Sequence, residues 1–110
     1  MGRVFKVYLD SNRVFRCREC KAHLTSVEEI ISKNFQGRSG KAYLFDKVVN
    51  VTTGPPEERV LMTGLHVVVD VYCNACWSPL GWKYEDAEDE KEKYKIGKYV
   101  LELAKTHRGD

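Results

Sequence analysis

Four cysteines in two Cys-x-x-Cys pairs are the residues of this chain best suited to chemistry. They are the only cysteines in the 110-residue sequence: Cys17, Cys20, Cys73 and Cys76. A structural zinc site takes four thiolates in a tetrahedron, with Zn–S distances of about 2.3 Å. A gap of two residues lets one tight turn direct both sulfurs of a pair at the same ion. The sequence therefore predicts one structural Zn²⁺ that joins two distant parts of the chain.

Two disulfides and a thioredoxin-like redox motif are the alternatives to zinc. Disulfides require an oxidising compartment, and residues 1–10 contain no apolar run as long as that of a signal peptide. No βαβ pattern follows either pair, as a redox motif would require. We therefore favour zinc. We also expect no enzymatic activity, because a closed four-thiolate site leaves no open coordination position for water.

The charge pattern gives little support for a nucleic-acid or membrane partner. The formal net charge is +2, and basic and acidic residues are interspersed, whereas nucleic-acid binders usually present a basic stripe. Arg16, Arg18 and Lys21 surround the first pair, where their simpler use is to offset the negative charge of a zinc–thiolate centre. A weak nucleic-acid binder stays an alternative. No segment approaches the length of about 20 apolar residues that spans a membrane, so no membrane contact is predicted.

Short runs of β-branched and aromatic residues predict a mainly β protein. We expect a single domain, 1–110, with its core at about 15–105. Residues 42–45 and 48–52 are predicted to form a hairpin, and 65–72 a central strand that leads to Cys73. The predicted strands are 4–9, 14–17, 42–45, 48–52, 59–62, 65–72 and 80–84.

Other segments have weaker patterns. Thr25 and Glu28 have the spacing of a capping box, which predicts a short helical turn through Ile31. The acidic residues 85–92 fit a short helix or a solvated loop. Residues 99–104 fit either a last strand or a helical turn, and we expect the tail at 106–110 to be frayed.

The segments around the cysteines resemble the Yippee-like proteins. The resemblance covers about residues 15–98 and is carried by FxCxxCxxHL from Phe15, GKAYLFDKVVNV from Gly40, RVLMTGLH from Arg59 and CNACWSPLGWKYEDAEDEKEKYKIGK from Cys73. The gap of 52 residues between Cys20 and Cys73 also matches that family. The resemblance implies a β-tent, in which two antiparallel sheets meet at an angle and a four-cysteine zinc site pins the apex. We expect a short helical segment near the C-terminus.

The same resemblance implies a small protein of the nucleus and cytoplasm that is linked to cell division. Some relatives belong to ubiquitin-ligase assemblies, so ubiquitin-ligase subunits are candidate partners. We therefore predict a non-enzymatic adaptor or scaffold that acts through protein contacts. Trp77, which follows Cys76, either packs over the thiolates or is exposed as an anchor for a partner.

An alternative function is a domain that binds a small ligand or a modified peptide. More distantly, the LGWKY motif at 80–84 is similar to the ligand-binding domain of cereblon and to the methionine sulfoxide reductase B fold. The cereblon-like domain holds its ligand in an aromatic cage, and Trp82 and Tyr84 match two of its positions. We expect Phe45 and His66 to help line the same hollow. Sulfoxide reduction would need a reactive cysteine besides the metal ligands, and the sequence contains no fifth cysteine.

Overall fold

The computed structural model describes residues 7–109, and in that range the chain forms ten β-strands. Short 3₁₀ turns lie at Val27–Glu29, Glu90–Lys95 and Leu103–Lys105. Among the described residues, no helix is long and apolar enough to cross a bilayer. The strands are β1 Val14–Cys17, β2 His23–Ser26, β3 Ile30–Gly37, β4 Gly40–Phe45, β5 Val51–Thr53, β6 Glu57–Leu61, β7 Gly64–Cys73, β8 Pro79–Ala87, β9 Tyr99–Glu102 and β10 Thr106–Gly109.

The strands form two antiparallel sheets. The smaller sheet has the order β10-β1-β2, and the larger has the order β3-β4-β9-β8-β7-β5, with β6 also paired to β7. This arrangement confirms the predicted mainly β fold of two antiparallel sheets. The 3₁₀ turn at Glu90–Lys95 is the short helical segment expected near the C-terminus.

Strand β7 lies inside the larger sheet, as its apolar pattern predicted. It pairs with β8 on one side and with both β5 and β6 on the other. Strands β5 and β6 lie end to end along β7, with the segment Gly54-Pro55-Pro56 between them. Proline has no N–H to donate to a sheet, so these prolines interrupt the edge. Strand β7 ends at Cys73 and so delivers one cysteine pair.

The core consists of two clusters of buried side chains. The first contains residues of both sheets together with Cys17 and Cys73, so it lies where the sheets face each other; its other large members are Phe15, Leu24, Phe45, Val71, Leu80 and Leu101. The second lies on the opposite face of the larger sheet and contains Ala42, Leu44, Val68, Tyr84 and Val100. Neighbours such as Leu44 and Phe45 fall in different clusters because successive residues of a strand point to opposite faces.

The hairpin predicted for 42–45 and 48–52 is wrong. Strand β4 pairs with β3 and β9, whereas β5 pairs with β7. The turn between β3 and β4 contains Gly40 with φ of 121°, a conformation that glycine adopts without strain, and it gives β4 a nearer partner. Residues 46–50 cross to the smaller sheet instead, where the Val49 N–H donates to the Leu24 carbonyl at 2.7 Å.

Three terminal or local predictions also change. The predicted helical turn forms, but as a 3₁₀ turn that ends at Glu29 because Ile30 and Ile31 begin β3. The predicted capping box does not form, since Thr25 belongs to β2 and Ser26 makes no side-chain cap. Residues 106–109 are not frayed but form β10, which pairs with β1. For the predicted strand at 4–9, residues 4–6 lie outside the described residues, and residues 7–9 form no regular strand.

Candidate metal centre

The structure brings the four cysteines together at the junction of the two sheets. Strand β1 ends at Cys17 and β7 ends at Cys73, and each is followed by the turn that carries the second cysteine of its pair. The Sγ atoms of Cys17 and Cys76 are 3.6 Å apart, and those of Cys20 and Cys73 are 3.5 Å apart. All four sulfurs lie within 4.8 Å of one another. A tetrahedron with Zn–S bonds of about 2.3 Å has S···S edges of about 3.8 Å, so the donor set fits zinc.

The two cysteine turns have the same backbone geometry. In the first, the Lys21 N–H donates to the Cys17 carbonyl at 2.8 Å; in the second, the Trp77 N–H donates to the Cys73 carbonyl at 2.8 Å. Lys21 and Trp77 have φ of 67° and 66°, in the left-handed region. Backbone hydrogen bonds define both turns. The main chain therefore fixes the positions of the two cysteines in each turn relative to each other.

The thiols of Cys17, Cys73 and Cys76 differ in how readily they ionise. Burial raises the pKa of Cys17 to about 12 and also raises the pKa of Cys73. Burial opposes ionisation of Cys76 as well, but its hydrogen bonds with the hydroxyl and the backbone of Ser78, together with those to the Cys17 and Cys20 sulfurs, outweigh burial and lower its pKa to about 7. Of these three thiols, Cys76 is the one that ionises most readily near neutral pH, whereas Cys17 and Cys73 need a nearby cation to become thiolates.

Trp77 is exposed rather than packed over the sulfurs. Its side chain is 66% accessible, although its backbone is fixed by the hydrogen bond to Cys73. Of the two placements considered from the sequence, the structure shows the exposed one. A rigid turn therefore presents an indole to the surroundings beside the metal centre.

The four residues predicted to line a ligand pocket do not surround one hollow. Phe45 is buried in the first core cluster. His66 and Tyr84 are buried on the other side of the sheet, where their ring centroids are 5.2 Å apart, and Trp82 packs against Tyr84 at 6.4 Å. Phe45 is separated from the other three because its position on β4 points to the opposite face.

Of those four residues, Trp82 is the one that lines a hollow with a volume of about 570 Å³. His66 lines a separate, smaller hollow of about 220 Å³. Leu61, Val68 and Trp82 supply the apolar wall of the larger one, and Arg59, Asp70 and Glu102 supply charge.

The charged groups of Arg59, Asp70 and Glu102 have partners within the protein. Arg59 Nη2 donates to Asp70 Oδ1 at 2.9 Å. Glu102 Oε1 accepts hydrogen bonds from the N–H and the hydroxyl of Ser39 at 2.7 and 2.6 Å. Sequence reasoning missed these polar residues. The signal for Asp70 was its place on the same face of the strand as Val68, although the cross-strand partners could not be read from the sequence.

Two antiparallel sheets joined at a four-cysteine cluster define a small β domain with a candidate metal centre. The family described as "Yippee zinc-binding/DNA-binding /Mis18, centromere assembly" matches residues 13–108. The chain belongs to this Yippee–Mis18 family, which confirms the resemblance seen in the sequence.

Known relatives agree with this membership. Protein yippee-like 3 of Oryzias latipes is 54% identical over 104 residues, which cover 94% of this chain and 87% of that protein. The Homo sapiens protein yippee-like 3 is 54% identical over 102 residues, which cover 92% and 86%. The crystal structure of the Mis18 "Yippee-like" domain superposes with a TM-score of 0.69 at 16% identity, covering 89% of this chain and 95% of that one. At that identity the structural match supports the shared fold alone.

Proposed function

We propose that this protein is a non-enzymatic adaptor of the nucleus and cytoplasm whose fold depends on one structural Zn²⁺. Cys17, Cys20, Cys73 and Cys76 are the proposed ligands. Their spacing, which is close to the edges of a zinc–thiolate tetrahedron, supports this assignment. The zinc-binding description of the family adds to it. Structural zinc contributes directly to folding, because the site does not exist in the unfolded chain.

Native mass spectrometry, compared with the denatured mass, tests the metal. We expect one bound zinc in the wild-type protein and none in Cys73→Ser, with the melting temperature of the variant lower by more than about 10 °C, since removal of a structural metal ligand costs several kcal/mol. Ser78→Ala keeps all four sulfurs and should keep the zinc. A metal-free protein with a mass four hydrogens lower would instead mean two disulfides.

The exposed indole of Trp77 is the observation that carries the adaptor proposal. Tryptophan is enriched among the residues that dominate protein–protein binding energies, and here it stands 66% exposed on a backbone held by hydrogen bonds. We infer that Trp77 anchors a protein partner, and subunits of a ubiquitin-ligase assembly or factors linked to cell division are the candidates. The family description, which includes centromere assembly, supports the second of these.

Replacement of Trp77 tests whether this side chain anchors a partner or is an exposed residue with no role in binding. We expect Trp77→Ala to keep the wild-type melting temperature and zinc content but to lose at least tenfold in affinity for a partner captured by the wild-type protein, as hot-spot truncations do. Met62→Ala, which removes another exposed apolar side chain, is the matched control and should retain the partner. Equal affinity of the two variants for the partner would show that Trp77 is not the anchor.

A small-ligand function is the second candidate, and the hollow beside Trp82 favours it. Its volume of about 570 Å³ falls in the range of about 300–1,000 Å³ that is typical of ligand sites. Its wall combines an indole with a few charged groups, as such sites commonly do. Ligands of the cyclic imide, nucleoside and modified-peptide classes are the first to test.

Tryptophan fluorescence tests this candidate directly. The chain has two tryptophans, so Trp77→Phe leaves Trp82 as the single reporter. A ligand that enters the hollow should change the emission of Trp82 saturably. Leu61→Phe, which narrows the hollow without adding a second tryptophan, should weaken that response. No change across all three classes at millimolar concentration would rule out the small-ligand function for them.

A further inference from the structure

Asn50 binds the main chain of another segment as a neighbouring strand would. Its Oδ1 accepts a hydrogen bond from the Val7 N–H at 2.8 Å, and its Nδ2 donates to the Val7 carbonyl at 2.8 Å. The same Nδ2 donates to the His23 carbonyl at 2.7 Å. One side chain thus satisfies both main-chain groups of Val7, which is the exchange seen in a hydrogen-bonded pair of antiparallel strands.

His23 adds a second main-chain contact two residues further along. Its Nδ1 accepts from the Leu9 N–H at 2.9 Å. Burial, followed by the positive charge of Arg16, lowers the pKa of His23, and a neutral ring keeps that nitrogen available as an acceptor. The Tyr8 ring meets the His23 ring edge-on, with centroids 5.4 Å apart.

Few side-chain contacts specify the segment at 7–9. Val7 and Tyr8 are exposed, and the Tyr8 side chain is 75% accessible. The described hydrogen bonds to Val7 and Leu9 all involve their main-chain atoms. The site therefore recognises an extended backbone with little dependence on the sequence of the segment that occupies it.

The site itself is held firmly by the domain. Asn50 is buried and has φ of 59°, a conformation that asparagine tolerates. Its carbonyl accepts from the Asn74 N–H at 2.9 Å, within the second cysteine turn. The family match begins at residue 13, so the matched span includes Asn50 and His23 but not residues 7–9. The site is part of the domain, and its present occupant lies before it.

We propose that Asn50 and His23 form a slot for an extended peptide, and that a segment of a partner protein binds there in place of residues 7–9. The occupant needs a free N–H and carbonyl at one position and a free N–H two positions later, so proline is excluded at both. Neither Asn50 nor His23 lines the hollow beside Trp82. The slot does not depend on either proposed function.

A full-length variant with a disabled N-terminal segment tests the slot. Val7→Pro with Leu9→Pro removes both N–H donors without changing the slot. The probe is a labelled peptide with the sequence of residues 4–11, VFKVYLDS, titrated by fluorescence anisotropy. We expect saturable binding to the zinc-loaded double variant and at least tenfold weaker binding to the wild-type chain, in which the attached segment competes at high effective concentration.

Modified peptides distinguish backbone recognition from nonspecific adhesion. A peptide with alanine in place of the tyrosine and leucine should bind within about threefold of the parent, because its main chain is unchanged. Methylation of the valine and leucine nitrogens that match Val7 and Leu9 should abolish binding. Equal binding by the methylated peptide, or no binding by the parent at millimolar concentration, would overturn the proposal. The proposal would also be overturned if the wild-type protein were a dimer and the double variant Val7→Pro with Leu9→Pro were a monomer. The occupant of the slot would then be a second copy of the chain.

Discussion

Gly81 allows β8 and β9 to approach more closely than a side chain would permit. It pairs with Leu101 of β9, and a Cβ atom at this position would overlap the carbonyl of Val100. The obstacle is backbone rather than a flexible side chain, so it cannot move aside cheaply. This glycine lies in the LGWKY motif that carried part of the family resemblance, and its identity has a steric reason.

We expect Gly81→Ala to lower the free energy of unfolding by about 1–3 kcal/mol, as overpacking of a filled interior does. Gly54→Ala is the matched control, because a Cβ there would meet nothing nearer than the Tyr72 ring at 3.7 Å. The denaturant midpoints of the two variants provide the measurement. Similar midpoints for both would show that the sheet can relax around the added methyl group.

At the level of elements, β10 supports the strand that carries the first cysteine pair. Its register places Thr106 opposite Cys17 and His107 opposite Arg16. The Arg18 N–H also donates to the Lys105 carbonyl at 3.1 Å, immediately before β10. The C-terminal residues therefore fix the position of a turn that carries two of the four clustered cysteines and is nearly ninety residues away in the sequence.

Truncation after Lys105 should destabilise the protein by about 2–4 kcal/mol, since several ladder hydrogen bonds of about 1 kcal/mol each are lost. Zinc release to a chelator should also become faster, because Cys17 loses its neighbouring strand. His107→Ala is the control: its side chain is exposed and its backbone is retained. A truncated protein with wild-type melting and zinc release would mean that β10 contributes nothing to the site.

The success of the sequence predictions for the elements depended on how local each pattern is. The central strand at 65–72 was predictable, because β-branched residues on both faces of a run indicate burial on both sides. The strands that pair with residues 42–45 were not predictable, since pairing with a strand distant in the sequence does not depend on a local residue pattern. The tail at 106–110 contains no apolar run, so its sequence does not predict a strand. Strand β10 forms because it pairs with the edge of β1.

For the whole molecule, the cysteine cluster joins two sheets that come from different parts of the chain. One pair follows β1 of the smaller sheet and the other follows β7 of the larger sheet. The cysteine spacing made this convergence predictable. The hollow was not predictable in the same way. Its wall combines residues of β6, β7 and β8 with the ends of β3 and β9, and the sequence does not reveal how these strands are placed relative to one another.

The interrupted edge formed by β5 and β6 has a consequence for solubility. An exposed, continuous edge strand can recruit the same strand of another molecule and start aggregation. Here Pro55 and Pro56 divide the edge, and the exposed Glu57 and Glu58 begin its second half with negative charge. Two identical edges brought together would meet prolines that cannot donate and carboxylates that repel. The domain can therefore leave an indole exposed while this border of the sheet resists self-association.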